Sequence, residues 1–104
     1  MRDASSTFLN IALAMSPFHK ARLIYEGFTH CIVERMYLPD RDELFHYLLT
    51  MFNDEDNPEE PVIFTNYRGL IQSLDLTMKK WGEDTKEDKG IHLGPYWAAI
   101  GSHA

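Results

Sequence analysis

The chain has 104 residues, 44% of them hydrophobic and 25% charged, which is enough for one ordinary core, too short for two, and too apolar for global disorder. A lone cysteine, Cys31, excludes an intramolecular disulfide and so the disulfide-rich secreted scaffolds. The formal net charge of −6 is concentrated: residues 40–60 hold eight acids (Asp40, Asp42, Glu43, Asp54, Glu55, Asp56, Glu59 and Glu60) and one base, Arg41, while the remaining 83 residues hold eight acids and nine bases.

From the start of the chain, Ser5, Ser6 and Thr7 read as capping residues. Phe8, Leu9, Ile11, Ala12 and Met15 follow at helical spacing. The nearly apolar run from Phe8 to Met15 is too short to span a bilayer. Asn10 interrupts it as a signal-peptide core, and Asp3 offsets Arg2 ahead of it. A cytoplasmic protein is the expectation. Ser16-Pro17 then reads as an N-cap with proline in the first turn. Phe18, Ala21, Ile24 and Tyr25 predict a second helix that Gly27 stops, with an extended reading of Arg22–Gly27 in competition.

Phe28 to Leu38 is rich in β-branched and aromatic residues and predicts a strand covered on both faces for part of its length. Pro39 ends it. Asp40 with Glu43 three residues on resembles an acidic capping box, and Leu44, Phe45, Leu48, Met51 and Phe52 fall on one helical face. A third helix is therefore expected up to Asn53. The acidic loop at 53–60 follows, and then a short buried strand over Val62–Thr65. Thr65 or Asn66 caps a helix carrying Tyr67, Leu70, Ile71, Leu74, Met78 and Trp81, which Gly82 is expected to end. The tail after Gly90 offers Ile91, Leu93, Tyr96, Trp97 and Ile100 for packing. The order of elements predicts a single α+β domain over 1–104, a small sheet packed by about three amphipathic helices. An all-α bundle is the alternative if Phe28–Leu38 is helical.

Few residues carry recognisable chemistry. Asp54 and Asp56 begin like a calcium loop, but Pro58 and Glu59 occupy the next ligand and the turn glycine, and Thr65 the closing glutamate. His30 and Cys31 are adjacent, so on a strand they point to opposite faces and cannot share a zinc ion. No G-x-S-x-G and no Gly-rich phosphate loop occurs. No cofactor and no metal is expected. A small enzyme would have to use His46, Glu43 or Cys31, with Glu43 and His46 at i,i+3 as an acid–base pair. A structural subunit of a homo-oligomer, burying Tyr96 and Trp97 in a neighbour, is a further alternative.

Charge supports a different reading. The acidic segment repels phosphate backbones and anionic lipid, so neither nucleic acid nor membrane is an expected direct partner. Its complement is a basic protein surface. The expectation is a small acidic protein-binding module, of the kind represented by inhibitors and immunity proteins that neutralise a basic, nuclease-type partner. Asp54, Glu55, Asp56, Glu59 and Glu60 would make the contacts, assisted by Asp40, Asp42 and Glu43. The bland counterpart is a solvated connection that keeps the molecule soluble.

Overall fold

The computed structural model describes residues 4–25, 27–37, 45–85 and 96–100. In chain order these form helix α1 (Ala4–Met15), strands β1 (Lys20–Tyr25), β2 (Phe28–Tyr37), β3 (Phe45–Met51) and β4 (Val62–Phe64), helix α2 (Tyr67–Thr85) and strand β5 (Trp97–Ile100). The strands make one sheet in the order β4-β3-β2-β1-β5, with every neighbouring pair antiparallel. Helix α1 lies over β5 and β1, and α2 over β3 and β4. This is an α+β fold with two helices among the described residues, where about three were expected.

The sheet explains which residues are buried. Side chains alternate between its faces. On the helix side, Ala21 and Leu23 of β1 lie opposite Val33 and Cys31 of β2. These in turn lie opposite Leu49 and Met51 of β3, while Leu23 and Ala21 face Trp97 and Ala99 of β5. Leu9, Ala12 and Leu13 of α1 and Leu70 and Leu74 of α2 close over this surface, and the whole set forms one core cluster. The opposite face carries Lys20, Arg22, Ile32, Glu34, Met36, His46, Leu48 and Ile63, with no described element over it.

Two expected helices are strands. Residues 17–27 contain a turn and β1. Phe18, Ala21, Ile24 and Tyr25 do recur at helical spacing, but Ala21 and Leu23 alternate with Lys20 and Arg22, and that period of two decides the burial. His19, at a positive φ of 56°, reverses the chain after α1, and its N–H donates to Ser16 O at 3.0 Å. Gly27 is not a helix stop. It adopts φ 82° in the tight connection that brings Tyr25 opposite Phe28.

The second correction is β3. Tyr47 and Leu49 are buried, with Phe45 and Met51 packed against the core, while His46, Leu48 and Thr50 point the other way. Leu48 and Phe52 had completed a helical stripe, but they are the apolar members of the other face. The strands over 28–37 and 62–64 are found where expected, which removes the all-α alternative, but the second is not buried, with Val62 and Ile63 51% and 58% exposed, and no described element covers the second face of β2. Helix α2 continues past Gly82 to Thr85. Asn66 Oδ1 caps it by accepting the Gly69 N–H at 2.8 Å, and Leu70 N–H donates to Asn66 O at 3.3 Å. Ser16 does not start a helix. It is buried after the end of α1, where Oγ accepts the Phe18 N–H and donates to Ile100 O.

Candidate functional site

The acidic segment is a folded loop at the end of a hairpin. Strands β3 and β4 form the arms, extended by a bridge between Phe52 and Pro58 and by the Glu59 N–H donating to Met51 O at 2.7 Å. Between the arms, Asn53 organises the turn. Its Oδ1 accepts the N–H groups of Glu55 at 2.9 Å and Asn57 at 3.0 Å. Its backbone N–H donates to Asn57 O at 3.0 Å, and its carbonyl accepts the Asp56 N–H at 2.9 Å. Asp56 takes a positive φ of 65°, a conformation that short acidic and amide side chains tolerate better than most. The loop is thus an Asx-type turn that satisfies its own backbone.

That arrangement leaves the carboxylates outside. Asp54, Glu55, Asp56, Glu59 and Glu60 are all exposed, and none pairs with a cation among the described residues. Asp40, Asp42 and Glu43 lie outside the described residues. In sequence they precede Phe45, the first residue of β3, whereas the loop follows Met51, its last. Seven strand residues span about 24 Å at the rise of an antiparallel strand.

The residues of the enzyme alternative do not come together. Cys31 lies in the core on the helix side of β2, fully buried, and burial pushes its thiol up to about 12. It lies opposite Met51, whereas His46 is near the other end of β3 and on the other face. Glu43 lies outside the described residues. His30 has Nε2 3.3 Å from Tyr25 O and its ring 5.9 Å from that of Tyr25. No group of three or more His, Cys, Asp or Glu set to hold a metal occurs among the described residues. Trp97 belongs to the core, with an exposure of 8%, while Tyr96 is exposed and packs edge-on against Tyr25 at 5.2 Å.

One arrangement had no counterpart in the sequence reading. Arg35 stands on the helix side of β2, opposite Tyr47, with its guanidinium carbon 4.7 Å from the centroid of the Phe45 ring. Its Nε is buried without a partner among the described residues. The Tyr47 and Tyr67 rings meet at 5.4 Å close by. A cation over an aromatic face is held electrostatically, and here it seals one end of the core. Asn53 was also missed, although an asparagine opening a run of turn residues is the available signal.

The chain matches no protein-family model, no curated protein and no solved structure. Among the described residues, no helix is long and apolar enough to cross a membrane.

Proposed function

We propose that the protein is a small binding module whose acidic hairpin loop engages a basic protein partner, acting as an inhibitor or immunity factor of a nuclease-type protein. The observation that carries this reading is the order of the loop. Five exposed carboxylates sit on and beside a turn closed by Asn53, so the backbone that carries them is ordered. A preorganised loop loses less conformational freedom on binding than a free one. A cluster of one sign steers encounter with a surface of the other. Asp40, Asp42 and Glu43 would assist through their charge.

The test is capture from native extract at low and high salt, with a parallel bait in which Asp54, Glu55 and Asp56 become Asn or Gln and Glu59 and Glu60 become Gln. The expected result is a basic protein retained by the wild type, released by salt, and recovered poorly by the variant. In purified form the variant should associate at least about tenfold more slowly with little change in dissociation, as charge removal at a rim acts mainly on the on-rate. Equal recovery by both baits returns the loop to a solubilising role.

A further inference from the structure

Helix α1 carries no charged side chain anywhere from Ala4 to Met15. Leu9, Ala12 and Leu13 cover the sheet at exposures of 0%, 5% and 0%, yet Phe8, Ile11 and Met15, at helical spacing, stand 43%, 47% and 67% exposed. At 100° per residue these two sets with Ser16 fill an apolar arc of about 200°, twice what a one-sided surface helix needs. Beneath the helix lies β5, an edge strand of sequence Trp-Ala-Ala-Ile with no charge and no proline. Among the described residues nothing pairs with its outer side.

The two features face the same way. Strands β4 and β5 are parallel, since three strands lie between them and every neighbouring pair is antiparallel, and α2 follows β4 in the chain and packs over β3 and β4. Crossovers between parallel strands of one sheet are right-handed in nearly all proteins. With α1 on the same side as α2 and its C-terminal end tied by Ser16 to the C-terminal end of β5, a right-handed crossover would turn the exposed Phe8, Ile11 and Met15 outward, beyond the β5 edge. We infer that this edge joins a second copy of the chain, β5 against β5 in a continuous antiparallel sheet and α1 against α1 above it.

One two-fold axis perpendicular to the sheet makes both contacts antiparallel at once, which is the isologous geometry that closes a dimer. The Ser16–Ile100 bond sets the levels. The middle of β5 lies about 5 Å back from Ile100, equivalent to three or four helical residues back from Ser16, which puts Leu13 and Ala12 level with the axis and makes Ile11, one residue further back, the exposed side chain nearest to that level. The three side chains expose roughly 300 Å² per copy, and with the facing strand edges the total approaches the ~1,000 Å² of a specific interface. Charge permits it as well. The acidic loops belong to the opposite edge, about 19 Å from β5 in each copy, so the pair holds them well beyond a Debye length. No acid lies in α1 or β5.

Sedimentation of the full chain across a wide concentration range should show a reversible dimer of twice 12.1 kDa. Ile11→Lys, at an exposed position, should raise the dissociation constant by about a hundredfold or more, as for a central hot spot. In a second experiment, Ile11→Cys should cross-link copy to copy through a short bismaleimide, while Ile63→Cys on the far edge should not. The native Cys31 is buried and stays silent in both. A wild-type monomer at every concentration overturns the proposal. So does a dimer that Ile11→Lys leaves intact, or one that cross-links through position 63 and not through position 11. If Ile11→Lys fails to fold, the two cysteine variants decide.

Discussion

At one edge of the sheet, β4 is three residues long, follows Glu59, Glu60 and Pro61, and leads out of the acidic loop. At the other, β5 has four uncharged residues under a helix with no charge of its own. Shortness, proline and carboxylates are the standard means of keeping a strand edge from pairing with another chain. Both strands are short and each follows closely on a proline, Pro61 and Pro95, but only β4 also has carboxylates beside it, those of Glu59 and Glu60. A sheet this small must manage both edges, and the contrast teaches that the charge of the chain is placed as well as abundant. It guards the side that presents the loop and leaves the other side apolar.

The largest effects should come from the two halves of the core that support these edges. Leu13 of α1 and Leu70 of α2 are both fully buried. Leu13→Ala and Leu70→Ala should each cost about 3–4 kcal/mol in urea denaturation, the sum of lost transfer energy and an unfilled cavity. Equal costs mean that the two helices are equal partners in one core. A markedly smaller cost for Leu13 means that the α1–β5 side is only loosely closed, which would break the comparison at its root.

Next in size is a pH effect from the strand between the halves. The Cys31 thiol is raised from 9.0 to about 12 by burial. Above pH 9 the unfolded chain releases this proton and the folded chain keeps it, so the unfolded state binds fewer protons and stability falls with rising pH. The contribution is intact below pH 9.0 and is lost progressively towards pH 12, by about 2–3 kcal/mol between pH 9 and 11. The wild type should lose this amount relative to Cys31→Ala, which shares every other titrating group. Parallel profiles would mean that the thiol reaches water in the folded state.

A polar tie at each edge gives a smaller pair of effects. Ser16 is buried and binds the last residue of β5 to the end of α1. Ser16→Ala should cost about 1–2 kcal/mol, since the Phe18 N–H and the Ile100 carbonyl lose a partner. Asn53 is exposed and holds the acidic turn. Asn53→Ala should cost only about 1 kcal/mol, because water can replace it, while amide exchange at Glu55 and Asn57 should accelerate. Unchanged exchange at those amides would show that the turn does not depend on its asparagine.

Legibility of the sequence followed the clarity of its periods. Helix α2 and the strand over 28–37 were readable because apolar spacing and residue type agreed. Strand β3 was not, because Leu48 on the open face completes a helical stripe with Phe45, Met51 and Phe52. Asp40 and Glu43 supplied a cap-like start as well. Sequence periodicity cannot tell a helix from a strand whose second face is also partly apolar. Strand β1 was hidden by Ser16-Pro17, which looks like a helix start, and by the left-handed turn at His19, which no residue type announces. The acids were legible as a loop, but its internal order was not, since that depends on where the arms of the hairpin place Asn53 and Asn57.

The smallest prediction is the sharpest for the comparison of edges. Ile63 in β4 is 58% exposed and Ile11 in α1 is 47% exposed. Both side chains are aliphatic, and each lies at one edge of the same sheet. By exposure alone, replacing either with lysine should change the stability of a single chain by no more than about 0.5 kcal/mol. Ile63→Lys should do just that, at any concentration, because its edge is already guarded by Glu59, Glu60 and Pro61. Ile11→Lys should match it only in dilute solution and fall behind as concentration rises, since the wild type then gains stability from a partner that the variant lacks. The decisive quantity is the concentration dependence of the melting temperature. A wild type and Ile63→Lys that rise together while Ile11→Lys stays flat make the two edges functionally distinct. Three flat lines make them alike, with α1 left as an apolar helix that no second copy covers.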